Sequence, residues 1–244
     1  MEIVVIVAEN ALTSYTNEVA KTYVDSQSPS PLPRRPDRVA ARATGSARCR
    51  ERRPSMPFGF LDIAVTPSVR AAQVAMKADH IWKDFQGHRE FDRFTDNEAA
   101  YIAVRDSFYM ATVSETGWPY IQHRGGPPGF LKVLDDRTLV FADYRGNRQY
   151  ISVGNLLANG RACLFLMDYP HRARLKIYVH VEIVALDADP ELTEIVAPST
   201  YRAKPERIFR LRLQNFDWNC QQHITPRFTE AEIGAAVQAL QGVW

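Results

Sequence analysis

Long apolar runs are missing: nowhere do about eighteen consecutive apolar residues occur, so the usual membrane-spanning helix is excluded. The opening MEIVVIVAEN is apolar only briefly. It has no cationic lead and turns polar at once, a poor fit to a secretory leader. Cysteine is scarce. Cys49, Cys163 and Cys220 are odd in number and widely spaced, which argues against a disulfide framework and suits a reducing cytoplasm. Catalytic signatures are missing too. There is no GxGxxG after a strand, no GxxxxGK[ST] loop, no GxSxG elbow, no HExxH and no paired CxxC, so dinucleotide, P-loop, hydrolase-elbow and zincin chemistry have no support. Cys220 and His223 form a lone CxxH spacing, too little for a metal site, and no metal is expected.

Excess charge is nearly absent overall, at a formal +2, but it is unevenly placed. Arg34 to Arg53 holds eight arginines against Asp37 and Glu51, a net of +6. The first 55 residues carry +3 and the rest −1, so the basicity belongs to an extension and not to the remainder. Ser26–Ser55 is rich in Pro, Ser and Arg and poor in large apolar residues. It cannot bury enough surface to offset its ordering entropy and is expected to be disordered. No aromatics interleave with its arginines as a single-strand binder would need, so nucleic acid is not an expected partner. Met56 is a candidate true start, with the extension dispensable. The expected organisation is an extension over 1–55 and one folded domain over 56–244.

Within that domain, Val69–Phe85 has helical spacing, and Thr95-Asp-Asn-Glu98 is a capping box opening a helix over Asp96–Arg105. The period then switches to two. Strands are expected at Ser107–Ser114, Tyr120–Arg124, Phe130–Leu134 and Thr138–Ala142. Asn147 is placed to cap a helix over Arg148–Leu157. Ala162–Met167 is all apolar and reads as a strand buried on both faces. Leu175–Leu186 alternates, with Leu175, Ile177, Val179, Val181 and Ile183 on one face. Arg207–Phe216 alternates likewise, and Thr229-Glu-Ala-Glu232 opens a final helix. The expectation is a mainly β (α+β) fold, a small antiparallel barrel with flanking helices.

The chemically dense stretch is Gln122–Gln149. Arg124 and Lys132, read on adjacent strands, and Arg145 and Arg148, at a helix mouth with Asn147, could converge on a phosphate dianion. Gly125, Gly126 and Gly129 would let backbone approach a ligand.

These residues carry a resemblance. Arg124 with FLK at Phe130–Lys132, ADYRGNRQ at Ala142–Gln149, ACLFLMD at Ala162–Asp168 and RLKI at Arg174–Ile177 resemble the pyridoxamine 5′-phosphate oxidase superfamily of FMN-binding split β-barrels. SETGWPYIQHRGGPPGFLK and DWNCQQHITPRF are closer still to a less characterised subgroup. The resemblance implies FMN as cofactor, an FMN-dependent oxidoreductase acting on a small molecule, and a homodimer with FMN at the interface. It implies that Arg124, Lys132, Asn147 and Arg148 hold the phosphate, that Gln149 also binds the cofactor, and that backbone near Ala142, Asp143 and Tyr144 faces the isoalloxazine. It further implies that Arg174 and Lys176 reach the flavin from a barrel strand, and that Trp218, Gln222 and Arg227 close the partner's site. The founding oxidase grips its substrate with an Arg-rich C-terminal pattern. Asp217–Phe228 replaces that pattern here, so pyridoxamine phosphate oxidation is not expected. Alternatives are a non-catalytic flavin store, or a barrel using deazaflavin or haem, with His123 or His223 as haem ligand.

Overall fold

The computed structural model describes residues 59–82, 91–197, 201–219 and 221–241. The basic extension, Cys49, the end of the first expected helix and Cys220 lie outside the described residues. There are two compact units, Pro57–Thr225 and one that takes in Pro226–Trp244.

In the larger unit, α1 (Phe60–Ala64), α2 (Pro67–Ala75), α3 (Asp79–Trp82) and α4 (Asp96–Ala103) come first. The single helix expected over Val69–Phe85 is split. Thr66 caps α2, with Pro67 at its first position, and Lys77 takes a left-handed φ of 57° that stops it. The capping box at Thr95 forms as expected: Glu98 accepts from the Thr95 amide (2.9 Å) and hydroxyl (2.6 Å).

Seven strands follow: β1 (Ser107–Val113), β2 (Pro119–Gly125), β3 (Lys132–Asp135), β4 (Thr138–Tyr144), β5 (Arg161–Asp168), β6 (Ala173–Val184) and β7 (Pro205–Trp218). Helix α5 (Ile151–Asn159) lies between β4 and β5, and α6 (Pro190–Val196) between β6 and β7. The sheet is antiparallel throughout, in the order β2-β1-β5-β6-β7-β4-β3. The fold is a mostly β split barrel with flanking helices. In the second unit, Thr229 and Glu232 form the expected box at the start of α7 (Glu230–Gln241).

Alternation decides what is inside. Leu175, Ile177 and Val179 of β6 and Phe209, Leu211 and Leu213 of β7 are buried, and Val181 and Ile183 pack against the same core. Phe108, Phe130, Phe141 and Phe209 form a run of ring contacts with centroids 5.2 to 6.2 Å apart. A smaller core of Val140, Ala142, Val184 and Ile208 sits on the other face, with Leu192 and Val196 of α6. β5 departs from expectation. Ala162, Leu164 and Leu166 are buried, but Cys163, Phe165 and Met167 are only half-buried. An unbroken apolar run here marks one core face and one partly open face, which continues into the exposed Tyr109, Val113 and Ile121.

Helix α4 is tied to the far end of the barrel by charge. Arg105 pairs with Asp168 (2.9 Å), and His171 Nδ1 meets the other Asp168 oxygen at 2.9 Å. Burial pushes the Asp168 carboxyl up, but the His171 hydrogen bonds and the Arg105 charge outweigh it, and its pKa lies below the ordinary value. Its contribution to stability is therefore present above the unfolded carboxylate value, about 3.9, and is lost as pH falls through the lower folded value. Urea titrations across a pH series should show stability falling below about pH 4. Asp168→Asn should be less stable at neutral pH, with a shallower acid limb.

The GGPPG loop is bound to the end of the helix that precedes β1. The amide of Gly126 donates to Asp106 O and that of Gly129 to Arg105 O, each at 2.9 Å. Gly129 has φ +74°, and a Cβ there would stand 2.6 Å from the Ala103 carbonyl oxygen. The close approach that Gly129 allows is to the end of α4. Gly129→Ala should cost about 2 kcal/mol in chemical denaturation, from left-handed strain and crowding.

Candidate functional site

A cleft forms where the ends of β2 and β4 meet the start of α5. Tyr120, Gln122 and Arg124 line one side, and Asp143 and Tyr144 another. The loop Gly146–Tyr150, the first turn Ile151–Val153 and Glu206 of β7 complete it. It is a small, half-open cleft.

Local chemistry explains the loop. Arg148 (φ 63°) and Tyr150 (φ 52°) are both left-handed. Asn147 Oδ1 accepts from the Gln149 amide (3.1 Å), an Asx turn. Asn147 therefore does not cap the helix. The cap position is Tyr150, three residues later, whose side chain makes no capping bond. The first amides of α5, at Ile151, Ser152 and Val153, have no intrahelical acceptor and border the cleft. Two hydrogen bonds fix this helix to the sheet: Ser152 Oγ to Gln122 Oε1 (2.8 Å) and Asn155 Nδ2 to Thr112 Oγ1 (3.0 Å).

Charges are layered beneath. Arg124, 11 % exposed, donates from Nη1 to Asp143 Oδ1 and lies over the rings of Phe141 and Phe209. Arg124 Nε is buried without an acceptor among the described residues. Arg207 Nε stands 3.7 Å from Asp143 Oδ2 and its guanidinium covers the Tyr150 ring at 4.8 Å. Glu206 accepts from Arg145 (2.8 Å), Arg207 (3.1 Å) and the Tyr150 hydroxyl (3.3 Å). The Arg145 hydrogen bond holds the Glu206 carboxyl below the ordinary range, against burial, with Tyr150 and both arginines adding to the effect. Arg148 is exposed in the cleft and pairs with no carboxylate among the described residues. β3 pairs with β4 only as far as Val140, so Phe141–Tyr144 have a strand partner on the β7 side alone.

Of the residues singled out in the sequence, Arg124, Asp143, Tyr144, Asn147, Arg148 and Gln149 line this cleft, and Ala142 lies buried beside it in β4. Lys132 does not join them. β2 and β3 are the two outermost strands of the sheet order, not neighbours, and Lys132 pairs with Val140, on the opposite face of β4 from Asp143. Arg174 and Lys176 lie on the non-core face of β6, opposite Met167 and Phe165. Trp218 is a lock: its Nε1 donates to Glu98 Oε1 (2.8 Å) and its ring meets Tyr101 edge-on at 4.7 Å. Gln222 is exposed in a turn, and Arg227 belongs to the second unit. His123 stands on the outer face of β2 against Tyr109, away from the cleft lining. Sequence reasoning missed Tyr150, Glu206 and Arg207. They meet only through the β4–β7 register, Asp143 with Arg207, which no local pattern reveals.

Among the described residues no cluster of His, Cys, Asp and Glu could hold a metal, and no helix is long and apolar enough to cross a membrane.

No curated protein sequence matches the chain. Among solved structures it is similar to HupZ of Group A Streptococcus, at 16 % identity over 55 % of this chain and 100 % of that one, with a TM-score of 0.43. It is also similar to a Clostridium acetobutylicum protein related to general stress protein 26 (19 %, 56 % and 93 %, TM-score 0.36). A third is an FMN-binding protein of Syntrophomonas wolfei (16 %, 63 % and 95 %, TM-score 0.34). The pyridoxamine 5′-phosphate oxidase family model matches residues 94–217, half of the chain and nearly all of the barrel. The chain belongs to the pyridoxamine 5′-phosphate oxidase family.

Proposed function

We propose that this chain is an FMN-dependent oxidoreductase acting on a small organic substrate. One observation carries the reading: an exposed arginine without an acidic partner, Arg148, shares a cleft with the uncapped start of α5. A guanidinium beside three free helix amides suits a phosphate dianion, because each amide donates along the helix axis and the dipole adds to the attraction. The residues present fit a flavin nucleotide in a further way: Phe141–Tyr144 leave one backbone side unpaired, which a planar ring with donors and acceptors could meet.

Arg148 and the amides of Ile151–Val153 would hold the phosphate. The Asn147–Gln149 turn would keep Arg148 in its left-handed pose, and the Ala142–Tyr144 backbone would orient the ring. FMN, when bound, supplies the electron or hydride transfer; the protein supplies position and field. The roof would come from a second copy. The half-buried Phe165 and Met167 and the exposed Tyr109, Val113 and Ile121 form an apolar face suited to a homodimer, and Arg174 and Lys176 lie on that same face. With Lys132 outside the cleft lining, we give it no part in holding the phosphate.

Purified full-length protein should show flavin absorbance or take up FMN with quenching of its fluorescence. Mass spectrometry of the molecule released on denaturation should give FMN. A Soret band, or a chain that binds neither FMN nor riboflavin, would overturn the reading. Reduction of the bound flavin by a screened donor would separate an enzyme from a flavin store.

A further inference from the structure

Asp143 is a buried carboxylate on the floor of the cleft, with its side chain 7 % exposed. Its Oδ1 accepts from Arg124 Nη1, and its Oδ2 faces Arg207 Nε at 3.7 Å. Arg124 in turn has a second donor, Nε, buried without an acceptor. Two positive groups thus converge on one negative group within a cleft whose rim carries the unpaired Arg148. An anion arriving at Arg124 would meet Asp143 already there, and in so sheltered a place like charges repel strongly.

Resting on the FMN reading above, we propose that Asp143 is a specificity-determining residue. Its carboxylate occupies, on Arg124, the place a ligand phosphate would otherwise take, so phosphate recognition is confined to Arg148 and the start of α5. The Arg124–Asp143 pair is then electrically neutral toward the ligand. It joins the end of β2 to the end of β4, two strands that are not ladder neighbours in the sheet. The cleft takes a phosphate on its rim, and Arg124 serves the barrel wall.

The test uses the full-length protein, Asp143→Asn, and the double variant Arg124→Gln with Asp143→Asn. Asparagine keeps an oxygen for Arg124 Nη1 and removes the charge. Asp143→Asn should bind FMN on the order of tenfold tighter relative to riboflavin, since the repelling carboxylate charge is gone and the Arg124 charge is no longer neutralised. Inorganic phosphate, measured against sodium chloride of equal ionic strength, should raise the melting temperature of Asp143→Asn by several degrees more than it raises that of the wild type. The double variant has no unpaired buried charge, so it tests the idea even where the single variant does not fold. Its FMN-to-riboflavin preference should stay within about threefold of wild type.

An unchanged or weakened FMN preference in Asp143→Asn would overturn the proposal. So would a tenfold loss of preference in the double variant, which would mean that Arg124 holds phosphate in the wild type. If no chain binds either flavin while inorganic phosphate still rescues Asp143→Asn, the cofactor reading falls and the surrogate role of Asp143 stands. Flavin binding with no phosphate-specific change in either variant does the reverse.

Discussion

Arg148→Ala should weaken FMN binding by about 1.5–3 kcal/mol, the worth of a charge-assisted hydrogen bond lost to a dianion. In dissociation constants that is roughly tenfold to 150-fold. Riboflavin, which lacks the phosphate, should change by less than about threefold. Alanine is the informative substitution. It keeps a Cβ at the left-handed φ of 63°, so the strain of the loop is unaltered, whereas glycine would relax it. Since Arg148 is exposed, the wild-type preference for FMN should also shrink with added salt, and the variant should lose that dependence. Fluorescence titration with both flavins measures each quantity. An equal loss for FMN and riboflavin would remove the phosphate role.

The second large effect concerns Glu98→Ala, expected to destabilise the fold by about 2–4 kcal/mol in urea or guanidinium unfolding. Glu98 is 4 % exposed and does three jobs. It accepts from the amide and hydroxyl of Thr95, which starts α4, and from Nε1 of Trp218, which ends β7. Alanine would abolish one half of a capping box and leave an indole N–H without an acceptor. Glu98→Gln should lose about half as much, because the amide oxygen still serves one donor at a time. If Glu98→Ala proved as stable as wild type, Trp218 would be packing by its ring alone.

The barrel was legible because its strands obey a period of two. From Leu175 to Ile183 the apolar residues fall on one face, and the structure buries that face. Both capping boxes were legible for a similar reason: each is a bond between residues three apart. The family could be read from the residues around Arg124 and Asn147. What stayed hidden depends on partners distant in sequence. Asn147 looked like a cap, but its oxygen is engaged by the Gln149 amide, and Tyr150 takes the cap position through a left-handed turn that no propensity favours. Lys132 looked adjacent to Arg124 because strands close in sequence usually pair. Here the six residues 126–131 lead to a strand that pairs with β4 alone, at the other end of the strand order. The apolar run of β5 could not reveal that one of its faces would remain partly open.

β7 pairs along β6 on one side and along β4 on the other. A chain that has emerged from the ribosome only as far as Arg202 can therefore make two pieces, β2-β1-β5-β6 and β4-β3, with no backbone ladder to join them. The cleft, which draws on both pieces, has to wait for the last strand. Its assembly is set by a distant, late-arriving segment, the kind of long-range closure that makes folding slow and leaves sheet edges open to wrong partners in the meantime. Truncation before Pro205 should thus abolish ligand capture altogether, even though Glu206 is the one cleft residue it would remove.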